Sequence, residues 1–476
     1  MPISMNEGHP NALPKEMVSD LKHASEDVRS AESALVVTHI DADGITSGAI
    51  ASSTLRRLGV DFEVSFEKKI TEDTISRVNS SECDIVWICD LGSAYLSEFN
   101  RQGLVITDHH VPDHKRRRNQ TTLDEFVGTH HLNPHVYGAS GSYEVCGAGM
   151  TYLLSKFVDN SNTDLSPLAI VGAVGDFQDS RESKLVSYNR VILEEAIELK
   201  LVSSEIDLRF FGRCTRPLVK FLQYGTDSPI PGINDSYSNC IKVLNRLGIP
   251  LKDGDRSRTW MDLNRDEREE LTGFLLENVN DSMKSQLLGE IYAINEYSNI
   301  PEMFDAKEFA TLLNSCGRYD DAEVGHRICL GDVSALDIAA ENRAEHRKNI
   351  SMALSYVKEN HLIRERRFVQ YFDAGGEIRE TVIGIVAGML MGSGEVREGL
   401  PILAFADADD GVKVSARSSR ALTDKGLDLS IVMKTASELV GGYGGGHVIA
   451  AGATIPKGEE ERFLDIVEDL VSSQII

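Results

Sequence analysis

Residues 34–44 read ALVVTHIDADG, and this stretch decides the fold of the N-terminal part of the chain. An apolar run closed by polar residues is typical of a buried strand. Residues two apart in an extended segment point the same way, so His39, Asp41 and Asp43 can converge, and Gly44 permits a sharp turn into a helix. Such side chains suit a divalent metal ion. Aspartates also cap helix N-termini, but capping would explain only Asp43 and not its two companions.

Two further short apolar runs, Ile85 to Cys89 and Leu104 to Thr107, have the same strand character. Segments of helical character, such as Thr46 to Leu58, lie between the runs. Strands that alternate with helices predict an α/β fold with a parallel sheet covered on both faces. Ligands of such sheets bind beyond the carboxyl ends of the strands, where this chain places its polar clusters.

Those clusters are Asp90 after the second run and Asp108-His109-His110 after the third. Asp90 alone would be more typical of a helix cap than of a ligand. Consecutive side chains diverge, so residues 108–110 favour a division of labour: one imidazole binds metal, the other faces substrate, and the aspartate orients a ring. Asp176 lies in a turn after two predicted helices, Gly147 to Phe157 and Leu168 to Val174, and completes the set.

So many ligand-type side chains exceed the needs of one metal ion. Two ions that share a bridging carboxylate, about 3.5–4 Å apart, would use them well and would suit phosphoryl chemistry. Oxygen-rich ligands with two imidazoles favour Mn²⁺ or Mg²⁺ over a structural zinc site. The residues therefore predict a metal-dependent phosphoesterase.

The bulk composition is that of a globular protein of two or three domains, with 476 residues, 41% of them hydrophobic and 26% charged. No apolar run is long enough to span a bilayer, and the N-terminus lacks the pattern of a secretory signal. The seven cysteines are scattered without a C-x-x-C pair, which is typical of reduced thiols. We therefore expect a cytoplasmic protein with no membrane partner.

The formal net charge of -25 argues against a general nucleic-acid coat, because non-specific affinity for a polyanion comes from Lys and Arg. It does not exclude nucleic acid as a substrate, since divalent metals cancel charge locally. Three local basic clusters remain: Lys115 to Arg118, Arg209/Arg213/Arg216, and Arg364/Arg366/Arg367. Each is either a solvated face, which is the more common case, or a binding site for nucleic acid.

The pattern divides the chain into four parts: an N-terminal arm (1–30), the α/β domain (31–200), a helical middle region with a linker helix (201–365), and a smaller α/β domain (366–476). Helices are predicted in the middle region at Glu267–Glu277, Ser282–Tyr297, Ala306–Cys316 and Ser334–Asn360. The last part contains predicted strands at Phe368–Phe372 and Pro401–Ala406, a glycine cluster at 441–446, and an acidic helix at Gly458–Val471.

These motifs resemble those of the DHH phosphoesterase superfamily. The four motifs of its catalytic domain correspond to His39-x-Asp41-x-Asp43-Gly44, Asp90, Asp108-His109-His110 and Gly175-Asp176. Gly444-Gly445-Gly446-His447, Ala450-Ala451-Gly452 and Ser415-Ala416-Arg417-Ser418 resemble the DHH-associated C-terminal domain. The resemblance runs from residue 39 to residue 452 and covers nearly the whole chain.

The resemblance implies a role for each residue. His39, Asp41 and Asp90 would hold one metal ion, and Asp43, Asp90, His109 and Asp176 the other, with Asp90 as the bridge. His110 would contact the scissile phosphate, and Asp108 would support the histidines. Arg417 and the backbone of Gly444, Gly445, Gly446 and His447 would grip a substrate phosphate or terminal nucleotide. A glycine-rich turn exposes backbone N–H groups that can bind an anion. A guanidinium can donate two hydrogen bonds to the oxygens of one phosphate.

Within the superfamily, the chain is most similar to archaeal RecJ-like single-strand exonucleases. The first motif lacks the His-x-x-x-Asp-x-Asp spacing of the family II pyrophosphatases, and the middle region is longer than in the short nanoRNase and pAp-phosphatase members. Phe309 to Arg318 resembles a stretch of RecJ-type enzymes, and the chain stops at Ile476 soon after the glycine motif, as the archaeal proteins do. Those proteins are related to the eukaryotic replication factor that partners GINS.

Three functions are consistent with this resemblance. The first is a RecJ-like exonuclease that hydrolyses single-stranded DNA or RNA to nucleoside monophosphates in DNA replication or repair, with GINS as a candidate partner. The second is a phosphodiesterase for short oligonucleotides, pAp or cyclic dinucleotides. The third is a GINS-binding replisome scaffold, which the retention of every ligand disfavours as a sole role.

Overall fold

The computed structural model describes residues 13–112, 128–225, 230, 232–392, 395–397 and 399–475. Its contacts divide the chain into two compact units, residues 1–342 and 343–476. The basic cluster Lys115 to Arg118 lies outside the described residues. Within the described ranges, no helix is both long and apolar enough to cross a membrane. The four-part division at residues 30, 200 and 365 stays a prediction.

The first unit contains nine strands, counted over the described residues. They are β1 (Ser33–His39), β2 (Asp61–Glu67), β3 (Ile85–Cys89), β4 (Leu104–Thr107), β5 (Thr129–Leu132), β6 (Val202–Leu208), β7 (Lys252–Asp253), β8 (Arg256–Ser257) and β9 (Leu288–Ile294). The helices are α1 (Lys15–Ser30), α2 (Ala42–Leu58), α3 (Glu72–Ser80), α4 (Gly147–Val158), α5 (Ser166–Gly175), α6 (Ser187–Glu198), α7 (Leu218–Tyr224), α8 (Tyr237–Arg246), α9 (Arg265–Glu277), α10 (Asp281–Leu287), α11 (Pro301–Phe304), α12 (Ala306–Arg318) and α13 (Ala322–Cys329). A 24-residue helix, α14 (Leu336–Glu359), contains the boundary between the two units.

The first five strands form one sheet in the order β2-β1-β3-β4-β5, and every neighbouring pair is parallel. Alternate residues of β1 face opposite sides: Val36 packs in the core beneath α1, α2, α4 and α5, whereas Leu35 and Val37 pack in a second core with Val78 of α3. Both faces are therefore covered, which confirms the predicted α/β fold with a parallel sheet. Parallel pairing also places the carboxyl ends of β1, β3 and β4 at one edge.

The helix predicted for residues 282–297 is wrong. Helix α10 ends at Leu287, and residues 288–294 form β9, which pairs antiparallel with β6. Leu288, Tyr292 and Ile294 are spaced by even numbers, so they suit an extended strand as well as a helix, and pairing with β6 decides between the two. β5 was not predicted, because its sequence THHL has little apolar character and only Leu132 is fully buried.

The basic cluster Arg209/Arg213/Arg216 is engaged in internal contacts. Arg209 forms an ion pair with Asp179, and the buried Arg213 lies 2.8 Å from Asp207. Arg216 lies over the ring of Phe211 and donates a hydrogen bond to a backbone carbonyl. Arg209 and Arg213 therefore tie a small apolar core around Trp260 and Phe221 to the rest of the first unit, whereas Arg216 makes its contacts within that region. These contacts favour a structural role for the cluster.

The second unit is a smaller α/β fold. Its strands are β10 (Arg364–Glu365), β11 (Gln370–Asp373), β12 (Ile402–Ala408), β13 (Gly411–Arg417), β14 (Tyr443–Gly446) and β15 (Ala450–Ile455), and its remaining helices are α15 (Glu380–Gly392), α16 (Arg420–Thr423), α17 (Leu429–Leu439) and α18 (Glu460–Ile475). The sheet order is β10-β11-β12-β13-β15-β14, with β11 and β12 parallel and the other pairs antiparallel. Two apolar clusters cover its faces, one with α17 and α18 and one with α15.

A buried carboxyl at the start of α12 makes the stability of the first unit depend on pH. Burial, together with the charge of Asp305, raises the pKa of Glu308 to about 7. Glu308 accepts hydrogen bonds from the backbone N–H of Cys214 at 2.7 Å and from the hydroxyl of Thr215. Because its folded pKa lies above the unfolded value, its contribution to stability is fully present below pH 4.5 and is lost as pH rises from there to about 7.

We therefore expect Glu308→Gln to have a melting temperature near that of the wild type at about pH 4, where Glu308 is mostly neutral in both the folded and the unfolded chain. At pH 8.5 the variant should melt a few degrees higher than the wild type, because only the wild type then carries a buried charge. Calorimetry at both pH values measures the difference. A variant that loses the same stability at both pH values would contradict the assignment.

Candidate active site

The predicted site residues of the first unit come together at the carboxyl edge of the sheet. Ligand-type atoms within 4.8 Å of one another form three groups: His39/Asp41/Asp90, Asp90/His109/His110 and Asp43/His109/Asp176. His39 ends β1, Asp90 follows β3, and the two other histidines follow β4. Asp176 follows α5, whose packing against α2 brings it to the same place. Asp90 and His109 each belong to two groups and lie at the centre of the site.

Asp90 is a buried carboxylate that lacks hydrogen-bond donors. It is 1% exposed, and neither of its oxygens has a hydrogen-bond partner among the described residues. Instead, Oδ2 lies 3.3 Å from Nδ1 of His39, and Oδ1 lies 3.1 Å from Nε2 of His109. The residue has a φ of 59°, and a Cβ at Gly147 would lie 2.7 Å from the Asp90 Cβ. The fold thus holds an unsatisfied carboxylate against two imidazoles, which fits a cation-binding group.

Asp41 and Asp43 differ in their hydrogen bonds. Asp41 caps α2, since its Oδ1 accepts from the N–H of Gly44 at 2.9 Å and its Oδ2 lies 3.0 Å from Nδ1 of His39. The buried Asp43 instead accepts from two N–H groups at the start of α4, those of Gly147 at 2.7 Å and Ala148 at 2.9 Å. The capping role considered for Asp43 therefore belongs to Asp41.

The ring of His109 is fixed from behind. Its Nδ1 is 2.5 Å from the carbonyl oxygen of Gly141, so that Nδ1 donates and Nε2 faces the carboxylates. Nε2 lies 3.1 Å from Asp90, 3.4 Å from Asp176 and 3.6 Å from Asp43. A neutral imidazole in this tautomer presents a free lone pair to the centre of the site.

His110 and Asp108 form a pair at the mouth of the site. Nδ1 of His110 lies 2.8 Å from Oδ1 of the fully buried Asp108, and the His110 side chain is 52% exposed. Asp108 also accepts from the backbone N–H groups of His109, His110 and Ser93. Asp108 therefore orients an imidazole whose other nitrogen, Nε2, remains available for a ligand.

The electrostatics of the cluster favour added positive charge. Burial and the charge of Asp90 raise the pKa of Asp43 well above its ordinary value, and burial raises that of Asp176. Burial opposes ionisation of Asp90 too, but the neighbouring His109 and His39 outweigh it and hold its pKa well below its usual range. Burial lowers the pKa of His109, but the surrounding carboxylates raise it by more, so the net shift is upward.

The donor set fits divalent metal ions. Four carboxylates and two or three imidazoles converge, the shared Asp90 has two unsatisfied oxygens, and Nδ1 of His39 also lacks a hydrogen-bond partner in the described part of the chain. Hard oxygen ligands with imidazoles suit Mn²⁺ or Mg²⁺. The assignment of each residue to one of two ions stays a prediction.

Several supporting residues were missed in the sequence. Asn133, at the end of β5, donates to the carbonyl of His110 at 2.9 Å and to the hydroxyl of Ser93 at 2.8 Å. Gly141 and Gly147 act through backbone groups that hold His109 and Asp43. A backbone N–H or C=O is common to almost every residue, so no side-chain pattern marks it. Asn133-Pro134 after a short run was the one available signal.

Helix α12 brings an arginine to the first motif. A Cβ at Gly317 would lie 1.8 Å from the carbonyl oxygen of Ile40, and Oδ1 of Asn314 accepts from the N–H of Ala42 at 2.9 Å. Arg318, the last residue of α12, is partly buried and close enough to Asp41 to interact with its charge. Burial lowers the pKa of its guanidinium, and the structure gives it no hydrogen bond or ion pair among the described residues. Within that part of the chain, Arg318 is thus an unpaired cation beside the metal-ligand cluster.

The predicted substrate-binding residues of the second unit also lie together. Arg417 ends β13 opposite Ala450 of β15, and β14 with its glycines pairs with β15 at the edge of the sheet. Residues 443–446 are thus an edge strand rather than the predicted glycine-rich turn. A Cβ at Gly444 would lie 2.8 Å from a carbonyl of α17, whereas one at Gly445 would meet nothing within 4 Å. The N–H of His447 donates to the carbonyl of Ala450 at 2.9 Å and closes the hairpin.

Three family models match the chain. They are the DHH family N-terminal domain over residues 33–173, the DHH-CID domain over residues 210–288 and the DHHA1 domain over residues 365–473. The chain belongs to the DHH superfamily. The DHH-CID match lies in the middle region, to which the sequence alone gave only helical character. The superfamily is one of phosphoesterases, so the predicted enzyme class is confirmed at this level.

Known proteins are similar to this chain in sequence or in fold. An uncharacterised protein from Methanocaldococcus jannaschii is 29% identical over 92% of this chain and 93% of its own length. The fold is similar to CDC45 from Entamoeba histolytica (TM-score 0.61, 14% identity, 96% of this chain and 98% of that one). It is also similar to RecJ from Thermus thermophilus in complex with Mn²⁺ (TM-score 0.58, 18% identity, 98% of this chain). This chain spans 56% of the length of that RecJ. The predicted RecJ-like architecture is confirmed.

The contact between α12 and the first motif predicts the effect of one substitution. Gly317→Ala should destabilise the protein by about 1–3 kcal/mol, because the added methyl would overlap the carbonyl of Ile40 and displace α12. Gly273→Ala is the matched control, since Gly273 also lies within a helix but its Cβ would meet nothing within 4 Å. That control should be stabilised by about 0.5–1 kcal/mol. Denaturant unfolding measures both, and equal effects would contradict the proposed contact.

Proposed function

We propose that the chain is a metal-dependent exonuclease that hydrolyses single-stranded DNA or RNA to nucleoside monophosphates. The observation that carries the proposal is the buried, donor-free Asp90 shared between His39 and His109, with the exposed His110 at the mouth of the same site. We further propose that the protein acts in DNA replication or repair in the cytoplasm. The RecJ-like fold supports this choice of substrate.

The proposed metals are two Mn²⁺ or Mg²⁺ ions, held by His39, Asp41 and Asp90 and by Asp43, Asp90, His109 and Asp176. When bound, such a pair supplies an activated water and neutralises charge that develops on a phosphoryl group. The protein's own contribution is to keep Asp90 ionised and immobile, and to fix the tautomer of His109 through Gly141.

His110 is proposed to act on the scissile phosphate. Burial lowers the pKa of His110, but the charge of Asp108 raises it by more. The net shift is upward, which favours the imidazolium. With Nδ1 engaged by Asp108, the Nε2–H can donate to a phosphate oxygen or to the leaving group. Asp108 is a positioning residue in this scheme because it acts through His110.

Arg318 and the second unit are proposed to hold the strand. A guanidinium without partners in the described part of the chain can donate two hydrogen bonds to one phosphate, which compensates for its partial burial. In the second unit, Arg417, with Gly444, Gly445, Gly446 and His447, is proposed to bind the terminal phosphate or nucleotide. The edge position of β14 supports this, because an edge strand leaves part of its backbone N–H groups unpaired.

Digestion of strands labelled at each end, in DNA and in RNA form, with Mn²⁺ and with Mg²⁺, tests the activity. We expect stepwise release of mononucleotides by the wild type and a loss of at least about 100-fold in Asp108→Ala, because His110 would lose its orientation. Asp281→Ala, which alters a 96% exposed carboxylate, is the control and should match the wild type. No cleavage, or an Asp108→Ala rate equal to that of the wild type, would refute the proposal.

Arg318→Ala separates strand binding from folding. Loss of a charge-assisted bond to phosphate should lower kcat/KM by roughly 10- to 100-fold. The melting temperature should change little, since among the described residues the guanidinium has no hydrogen bond or ion pair to lose and interacts with Asp41 through charge alone. Arg265→Ala removes an 88% exposed arginine and serves as the control. Steady-state kinetics and thermal unfolding are the measurements. A destabilised but normally active variant would show that Arg318 is structural.

A partnership with GINS is a second, compatible proposal. The likeness to the CDC45 fold over 96% of this chain supports a replisome role beside the catalytic one. Gel filtration of the chain with purified GINS subunits at micromolar concentrations tests it. Co-elution at a defined stoichiometry would support the association, and separate elution would count against it.

A further inference from the structure

A large aromatic side chain lies beside the metal-ligand cluster and faces solvent. Phe177 directly follows Asp176, so their Cα atoms are about 3.8 Å apart, and it is 68% exposed. Its φ is 57°, a left-handed conformation that is rare for a bulky residue without glycine's freedom. Neither burial nor backbone preference explains a phenylalanine at this position. Strain of this kind, kept beside an active site, points to function.

The turn that carries Phe177 is held firmly on both sides. The N–H of Phe177 donates to the carbonyl of Val174 at 3.1 Å, and the N–H of Gln178 donates to that of Ala173 at 3.0 Å. The buried Gln178 side chain donates to the carbonyl of Gly141 at 2.9 Å and accepts from Asn189 at 2.6 Å. These bonds over-determine the backbone, so the ring of Phe177 is presented from a rigid turn.

A second aromatic ring, Tyr143, lies near the same turn and has a cation over its face. The guanidinium of Arg181 lies 4.2 Å from the ring centroid of Tyr143. Tyr143 is two residues from Gly141, whose carbonyl accepts from both Gln178 and His109. The segments around residues 143 and 177–181 therefore meet at the bond that fixes His109. The Arg181 guanidinium over the Tyr143 ring therefore places one cation and a second aromatic ring near this bond.

We propose that Phe177 is a nucleobase-binding residue that stacks on the base next to the scissile phosphate. The inference rests on the proposed nuclease function and adds to it the part of the substrate that is recognised. Aromatic rings stack on all four bases, which suits an enzyme that removes successive nucleotides regardless of sequence. A phosphate bound at Asp176 and His109 would bring its own nucleotide next to residue 177, whose Cα lies about 3.8 Å from that of Asp176. The Arg181 guanidinium, which lies over the Tyr143 ring, would contact the next phosphate along the bound strand.

The test compares Phe177→Asn with the wild type. Asparagine tolerates a left-handed φ, so this variant should fold at least as well as the wild type, which thermal unfolding measures. It has no ring to stack, so its KM for a base-bearing single strand should rise by about 5- to 100-fold, with a smaller change in kcat. Phe177→Tyr keeps the ring and should resemble the wild type. Tyr237→Ala removes an exposed aromatic on α8 and is the control.

A second substrate separates this proposal from the proposed function. The same strand with abasic tetrahydrofuran residues at its labelled end offers phosphates but no bases there. The wild type should cleave it with a raised KM, and Phe177→Asn should show no further loss on it. Equal KM values of the wild type and Phe177→Asn for the base-bearing strand would overturn the proposal for Phe177. Equal losses on both strands would also overturn it, since they would indicate a structural role. Absence of cleavage of both strands by the wild type would instead refute the nuclease function.

Discussion

The structure depends on one buried carboxylate that the protein itself does not satisfy. Asp90 is removed from water, its oxygens accept no hydrogen bond from the described residues, and two imidazoles lie 3.1 and 3.3 Å away. The two imidazoles compensate for burial and hold the pKa of Asp90 well below its usual range, and a cation at the same place would stabilise the carboxylate in the same way. The surrounding carboxylates add to the cost of burying negative charge, as the raised pKa values of Asp43 and Asp176 show. The arrangement is therefore that of a cation site whose protein scaffold is held together by other contacts.

The parallel sheet supplies that scaffold. Three neighbouring strands, β1, β3 and β4, end at one edge, and residues at or just after their ends form the site. Backbone N–H groups at the start of α4 bind Asp43, and the carbonyl of Gly141, before α4, binds His109. Helix α12 then closes against the first motif through the contact at Gly317 and places Arg318 there. The ligands therefore lie on segments that backbone hydrogen bonds hold in place.

The sequence predicted the elements that depend on side-chain pattern. The bounds of β3 and β4 agree with the predicted apolar runs, and the six predicted ligands lie together because each stands at or near the end of an element that meets the same edge. The predicted helix over residues 282–297 failed because partner strand β6 decides the conformation of β9. The support from Gly141 and Gly147 could not be predicted, since backbone groups leave no mark in a sequence. The exposure of Phe177 and the lack of a partner for Arg318 among the described residues likewise emerge only from the folded chain.

Manganese binding to the purified protein tests the central claim most directly. Metal analysis with electron paramagnetic resonance should show two Mn²⁺ ions per chain that are magnetically coupled, because a shared carboxylate keeps them close. Asp90→Asn, with its folding checked by circular dichroism, should lose the coupling and at least one of the ions. A single uncoupled ion in the wild type, or two coupled ions retained in Asp90→Asn, would contradict the account.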